Sequence, residues 1–113
     1  MTDRELLELA AKAACLKNAR YCHEEDGLHA CIEYDDEDDC TVVWMPHLDD
    51  GDCARMEAAI GIDVSWSSVY AMADNLQLSD CILAPYSAHN ENRQAARRWA
   101  STRAAAEIGK AIP

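Results

Sequence analysis

HACIEYDDEDDCTVVWM, from His29 to Met45, decides the fold. His29 to Tyr34 alternates apolar and polar residues weakly and reads as a short strand. Asp35 to Asp39 is entirely carboxylate, which suits a turn and a solvated tip. Thr41 to Met45 is then a β-branched run that stops at Pro46, a residue unable to donate to a ladder. Two strands around five charged residues make a β-hairpin.

Working outward, Thr2 and Glu5 form a capping box, and Asp3 complements the helix dipole. Leu6, Leu9, Ala10, Ala13 and Leu16 follow at helical spacing, predicting an amphipathic helix over residues 3–16. Downstream, Asp49, Asp50 and Asp52 precede a second helical pattern at Cys53, Met56 and Ile60, with Asp50 as N-cap and Gly61 past its end. Ile62 to Met72 reads as a third strand interrupted near Ser67 and Ser68, and Cys81 to Ala84 as a fourth that ends at Pro85. Asn90 or Asn92 caps a long helix over residues 93–111, with Ala95, Trp99, Thr102 and Ala106 along one stripe. The expected order is α-β-β-α-β-β-α in a single α+β domain over residues 1–113, an antiparallel sheet with helices packed on it. Phe is absent and much of the apolar half is Ala, so core volume must come from Leu, Ile, Val, Met, Trp44, Trp66 and Trp99, with Trp99 as a core anchor.

Charge is distributed unevenly. Between Tyr21 and Ala54 there is no Lys or Arg, yet there are twelve carboxylates. That window carries −12 and the whole chain −11, leaving +1 for the remainder. A dense field of one sign repels nucleic acid and anionic membrane, and it attracts basic protein surfaces or cations. No apolar run approaches the eighteen or so residues needed to cross a bilayer. The first residues lack a signal-peptide pattern, so a cytoplasmic location is expected, with the six cysteines reduced and mostly packed as small hydrophobes.

Chemistry-bearing patterns are weak. Cys22, His23, His29 and Cys31 offer zinc-type ligands, but adjacent Cys and His rarely reach one ion and the paired CxxC knuckles are missing. Neither Asp35–Asp39 nor His47–Asp52 has the order of a calcium loop. No metal or cofactor is expected. Nucleophile-elbow, P-loop, HExxH, dinucleotide and deaminase signatures are absent, so the chain reads as no enzyme. Arg93, Arg97, Arg98, Arg103 and Lys110 make the last helix basic; intramolecular pairing with the acidic region is the expected use of that charge, and direct nucleic-acid binding is not expected.

Three stretches carry a resemblance: MTDRELLELAAKAA (Met1–Ala14), WMPHLDDGD (Trp44–Asp52) and RAAAEIGK (Arg103–Lys110). Together they resemble a family of small uncharacterised proteins of tailed phages and prophages, more distantly the lambdoid NinX-like proteins. The resemblance covers about half the chain and implies no activity. Cys15 departs from it, standing where Gly commonly ends the first helix. Met45, Pro46 and His47 replace its Asn-Pro turn. The Cys22–Cys40 stretch looks like an elaboration of this member. Trp44, Asp49, Asp50, Gly51 and Asp52 match its motif, with Gly51 expected at an unusual φ and the three aspartates explained by capping.

The expected function is therefore that of a non-enzymatic phage accessory protein acting in the host cytosol, a DNA mimic with a counter-defence role. It would bind a host protein with a basic surface through Glu24, Glu25, Asp26, Glu33, Asp35, Asp36, Glu37, Asp38 and Asp39, carboxylates standing in for phosphates. One alternative is a small-ligand or metal-binding module, at the Asp49–Asp52 turn or at Cys22, His23, His29 and Cys31. Another is an assembly protein that oligomerises through its first or last helix.

Overall fold

A computed structural model of the chain describes residues 1–23 and 30–113. The first helix, α1 (Asp3–Ala13), starts as its capping box requires, with the Thr2 hydroxyl accepting from the Glu5 backbone N–H at 3.1 Å. It ends earlier than the apolar spacing suggests. Leu16 donates to the Ala11 carbonyl and Cys15 to that of Lys12, a Schellman closure that turns the chain through Cys15 at φ 57. That left-handed conformation favours glycine and costs any other residue about 1–2 kcal/mol.

The hairpin forms as expected. Strands β1 (Arg20–His23), β2 (Ala30–Asp35) and β3 (Thr41–Trp44) make an antiparallel sheet with β2 in the middle. Trp44 is buried at its end. The first of these strands was not legible, because Arg-Tyr-Cys-His carries no alternation and gains its ladder only from β2.

Helix α2 (Asp50–Ile60) is capped by Asp49, whose side chain accepts from Asp52 N–H. This corrects the choice of Asp50. Gly51 lies inside the helix and not at a positive φ; Gly61 is the left-handed residue, at φ 84, and it ends the helix. The region expected as one interrupted strand folds into two, β4 (Asp63–Trp66) and β5 (Tyr70–Asp74), which pair with β6 (Ile82–Pro85) in a second antiparallel sheet. Ser67 makes the reversal, its hydroxyl accepting from the N–H groups of Val69 and Tyr70 at 3.1 and 3.0 Å. The molecule is thus α+β, with two three-stranded sheets where one sheet was expected.

A 3-10 turn (Tyr86–His89) leads to α3 (Arg93–Lys110), capped by Asn92. Helix α1 lies on β1 and β2, α3 lies on β5 and β6, and α1 and α3 pack on each other in the largest contact of the fold. The buried face of α3 is Ala96, Ala100, Ala104, Ala105, Ala106, Ile108 and Gly109, with Ser101 and Thr102. The expected stripe was rotated from this: Thr102 and Ala106 are buried, but Trp99 is 37% exposed and lies beside His89, ring centroids 5.8 Å apart. A bulky indole would hold the helices apart, whereas Ala and Gly let the backbones close. The approach is close at Gly109, where an added Cβ would stand 2.0 Å from the Leu9 carbonyl oxygen.

Gly109→Ala is therefore expected to lower unfolding free energy by roughly 1–3 kcal/mol, the usual cost of overpacking, in urea melts with an unchanged m-value. The exposed neighbour change Lys110→Ala should stay within about 0.5 kcal/mol. Equal effects of the two would contradict the close approach.

Candidate functional site

The acidic hairpin tip is an ordered turn built by one of its own carboxylates. Asp36 accepts from the backbone N–H groups of Asp38 and Cys40, both at 2.9 Å, and its own N–H donates to the Cys40 carbonyl. Asp39 takes a left-handed φ of 59 to complete the reversal. Asp35 is held from outside the tip by the Asn18 amide at 3.0 Å and by Arg20 at 3.4 Å. Arg20 also faces Glu33 at 3.5 Å and donates to Thr41, so it ties all three strands of the first sheet. Lys17 pairs with Asp39.

The nine carboxylates singled out in the sequence thus divide. Glu33, Asp35 and Asp39 have cationic partners, and Asp36 shapes the turn. Glu37 and Asp38 stand exposed at the apex, without an ion pair to another described residue. Glu24, Glu25 and Asp26 lie outside the described residues.

The Asp49–Asp52 turn has a different use. Asp49 caps α2. Asp52 accepts from the Met45 N–H at 2.9 Å and from Arg55 at 2.6 Å. Asp50 pairs with Arg98 at 2.6 Å, and Arg98 also donates to the His47 carbonyl. All three carboxylates therefore fasten the exit of β3 to α2 and α3, and the ligand-site alternative finds them already engaged. Of the candidate zinc ligands, Cys22 and Cys31 stand directly opposite each other on β1 and β2. His23 ends β1 opposite Ala30, and His29 lies outside the described residues. Among the described residues no group of three or more His, Cys, Asp or Glu side chains is placed to hold a metal ion.

One charged cluster escaped the sequence reading. Glu57, 9% exposed, projects from α2 into a two-pronged contact with the Arg97 guanidinium of α3. The Ser101 hydroxyl donates to the same carboxylate at 2.5 Å, and the Cys53 thiol lies 3.6 Å from it. Burial, reinforced by the Glu57 charge, pushes that thiol up to about 12, which leaves Cys53 a protonated packing residue. The available signal was spacing: Glu57 is four residues after Cys53, on the helix face that carries Met56.

The basic helix is likewise consumed internally. Arg97 and Arg98 reach α2, Arg103 and Lys110 both hold Glu107, and Arg93 stacks over the Tyr86 ring at 4.8 Å. Elsewhere Arg4 pairs with Glu8, Arg55 with Asp52, and Lys12 donates to the Ile112 carbonyl. With Lys17 and Arg20, all ten basic side chains of the chain make a contact within it.

Comparison with known proteins returns no matching family model, no matching curated protein and no matching solved structure. Among the described residues no helix is long and apolar enough to cross a membrane.

Two measurements check this account of the charges. Glu57→Gln should cost roughly 1–3 kcal/mol by stranding part-buried Arg97, and a Glu57→Met/Arg97→Met double change should recover most of it; simple additivity would refute the coupling. The Asn18 hydrogen bond, helped by Arg20 and Lys17, holds the Asp35 carboxyl below its ordinary value. A folded value below the unfolded one stabilises fully above the unfolded value of about 3.9 and is lost as pH falls through the folded value. Asn18→Ala should therefore raise the Asp35 midpoint in an NMR titration, and an unmoved midpoint would contradict the assignment.

Proposed function

We propose that the protein is a non-catalytic binding module whose acidic hairpin docks on a basic surface of another protein. The observation that carries this reading is the one-sided disposition of charge. Eight of the ten Lys and Arg side chains pair with carboxylates of the described residues and the formal net charge is −11, so surplus carboxylates dominate the outward field, and Glu37 and Asp38 present it at the apex of an ordered turn. An ordered tip loses little conformational entropy on docking, and carboxylates at its apex meet Arg or Lys with charge-assisted bonds. A basic protein surface that otherwise holds a phosphate backbone fits such a tip, which makes the protein a competitor of nucleic acid and not a binder of it.

The resemblance of the sequence to tailed-phage and prophage proteins supplies the setting: a host bacterial cytosol, a host nuclease or defence complex as partner, and a counter-defence outcome.

The test is capture of bacterial lysate proteins on the immobilised chain at low and high salt, beside a Glu37→Gln/Asp38→Asn variant. Those two side chains make no hydrogen bond or ion pair to another described residue, so the variant should keep its thermal midpoint. A basic protein retained at about 50 mM salt should fall at least roughly tenfold by 300 mM, and should fall similarly with the variant at low salt. Retention indifferent to both salt and variant would refute the proposal.

A further inference from the structure

Cys22 and Cys31 play no part in the docking surface, yet they are placed for covalent chemistry. They are direct register partners in the antiparallel β1–β2 pair, and their sulfurs lie 2.7 Å apart. Opposed residues of antiparallel strands have Cα atoms about 4.5–5.5 Å apart, within the span that a disulfide bridges without backbone movement. Cys31 is 1% exposed, while Cys22 is only partly buried. The other four thiols show no such pairing: Cys53 faces Glu57, Cys15 and Cys40 are exposed near backbone carbonyls, and Cys81 precedes β6.

We propose that Cys22 and Cys31 are a redox-active dithiol that closes to a cross-strand disulfide by exchange with a low-molecular-weight disulfide. Cys22 is the more accessible thiol and reacts first. Its thiolate attacks one sulfur of the reagent, forming a mixed disulfide and releasing one small thiol, which takes the Cys22 proton. The Cys31 thiolate then attacks the Cys22 sulfur, forming the Cys22–Cys31 bond and expelling the second small thiol with the Cys31 proton. Two protein thiols are oxidised and one external disulfide is reduced to two thiols. Burial, together with the Cys31 contact, pushes the Cys22 thiol up to about 12, so exchange at neutral pH is slow and takes long incubation. The bond fastens the edge strand β1, and with it Arg20, two positions before Cys22 and the cation that gathers Glu33 and Asp35.

The test is incubation of the folded chain with oxidised glutathione for hours, followed by thiol alkylation and peptide mapping. No Lys or Arg lies between Arg20 and Arg55, so trypsin leaves Cys22, Cys31, Cys40 and Cys53 on one peptide, and cleavage at Glu is needed to part Cys22 and Cys31 from each other and from Cys40 and Cys53. The expected product is a Cys22–Cys31 linked pair two hydrogens lighter than the dithiol, carrying no glutathione, with a thermal midpoint raised by roughly 10 °C. In Cys31→Ala, Cys22 should instead accumulate the glutathione adduct. Cys22 and Cys31 recovered separately, as alkylated thiols or as stable glutathione adducts in the unaltered chain, would overturn the proposal. So would an unreacted Cys22 in the Cys31→Ala chain.

Discussion

The close approach of α1 and α3 is the constraint on which the rest of the structure depends. With Gly109 against the Leu9 carbonyl and a row of alanines along the contact, the two helices meet backbone to backbone. Each alanine buries little surface, so the stability comes from density and from the number of elements that α3 touches, not from a few large anchors. The sheets then lie on the free sides of this pair, and Ala71, Ala73 and Ala84 of the second sheet repeat the small-on-small packing. Trp66 and Trp99 are left at the surface.

The same arrangement decides where the charges go. Turning the alanine face of α3 inward leaves Arg97 and Arg98 on its flank, within reach of α2, where Glu57 and Asp50 meet them. A buried ion pair such as Glu57–Arg97 adds little net stability over an apolar pair, but it penalises any docking of α2 that leaves either charge alone. Cations spent on holding the helices together cannot neutralise the hairpin. The acidity of the exterior comes from the excess of carboxylates in the composition, and the clamp places Arg97 and Arg98 at α2 and away from the hairpin tip.

Many local signals in the sequence were good guides. The Thr2 cap, the Asp35–Asp39 reversal, the β-branched strand before Pro46, Gly61 past α2 and Asn92 before α3 all rest on chemistry within a few residues, and all have structural counterparts. Some of the failures needed a neighbour distant in sequence, whereas the Asp50 cap, the φ of Gly51 and the overlong first helix were misread locally. Arg20–His23 is a strand because β2 is beside it, and the interruption read near Ser67 is a full chain reversal, closed by the Ser67 hydroxyl accepting from Val69 and Tyr70. The buried face of α3 was misjudged because Trp99 outweighs alanine in any hydrophobic count, while helix spacing favours alanine. At the site, the run of carboxylates was visible, but not that Asn18, Arg20 and Lys17 would take three of them, nor that Asp36 would build the turn.

Native-state hydrogen exchange, residue by residue, tests the central role of α3 most directly. If the helix pair is the constraint that everything else leans on, the amides from Ala100 to Ile108 should exchange only through global unfolding, with an opening free energy equal to that from denaturant melts, while β1 and the hairpin tip open at lower cost. Exchange of α3 through a cheaper partial opening, with either sheet still protected, would contradict the account.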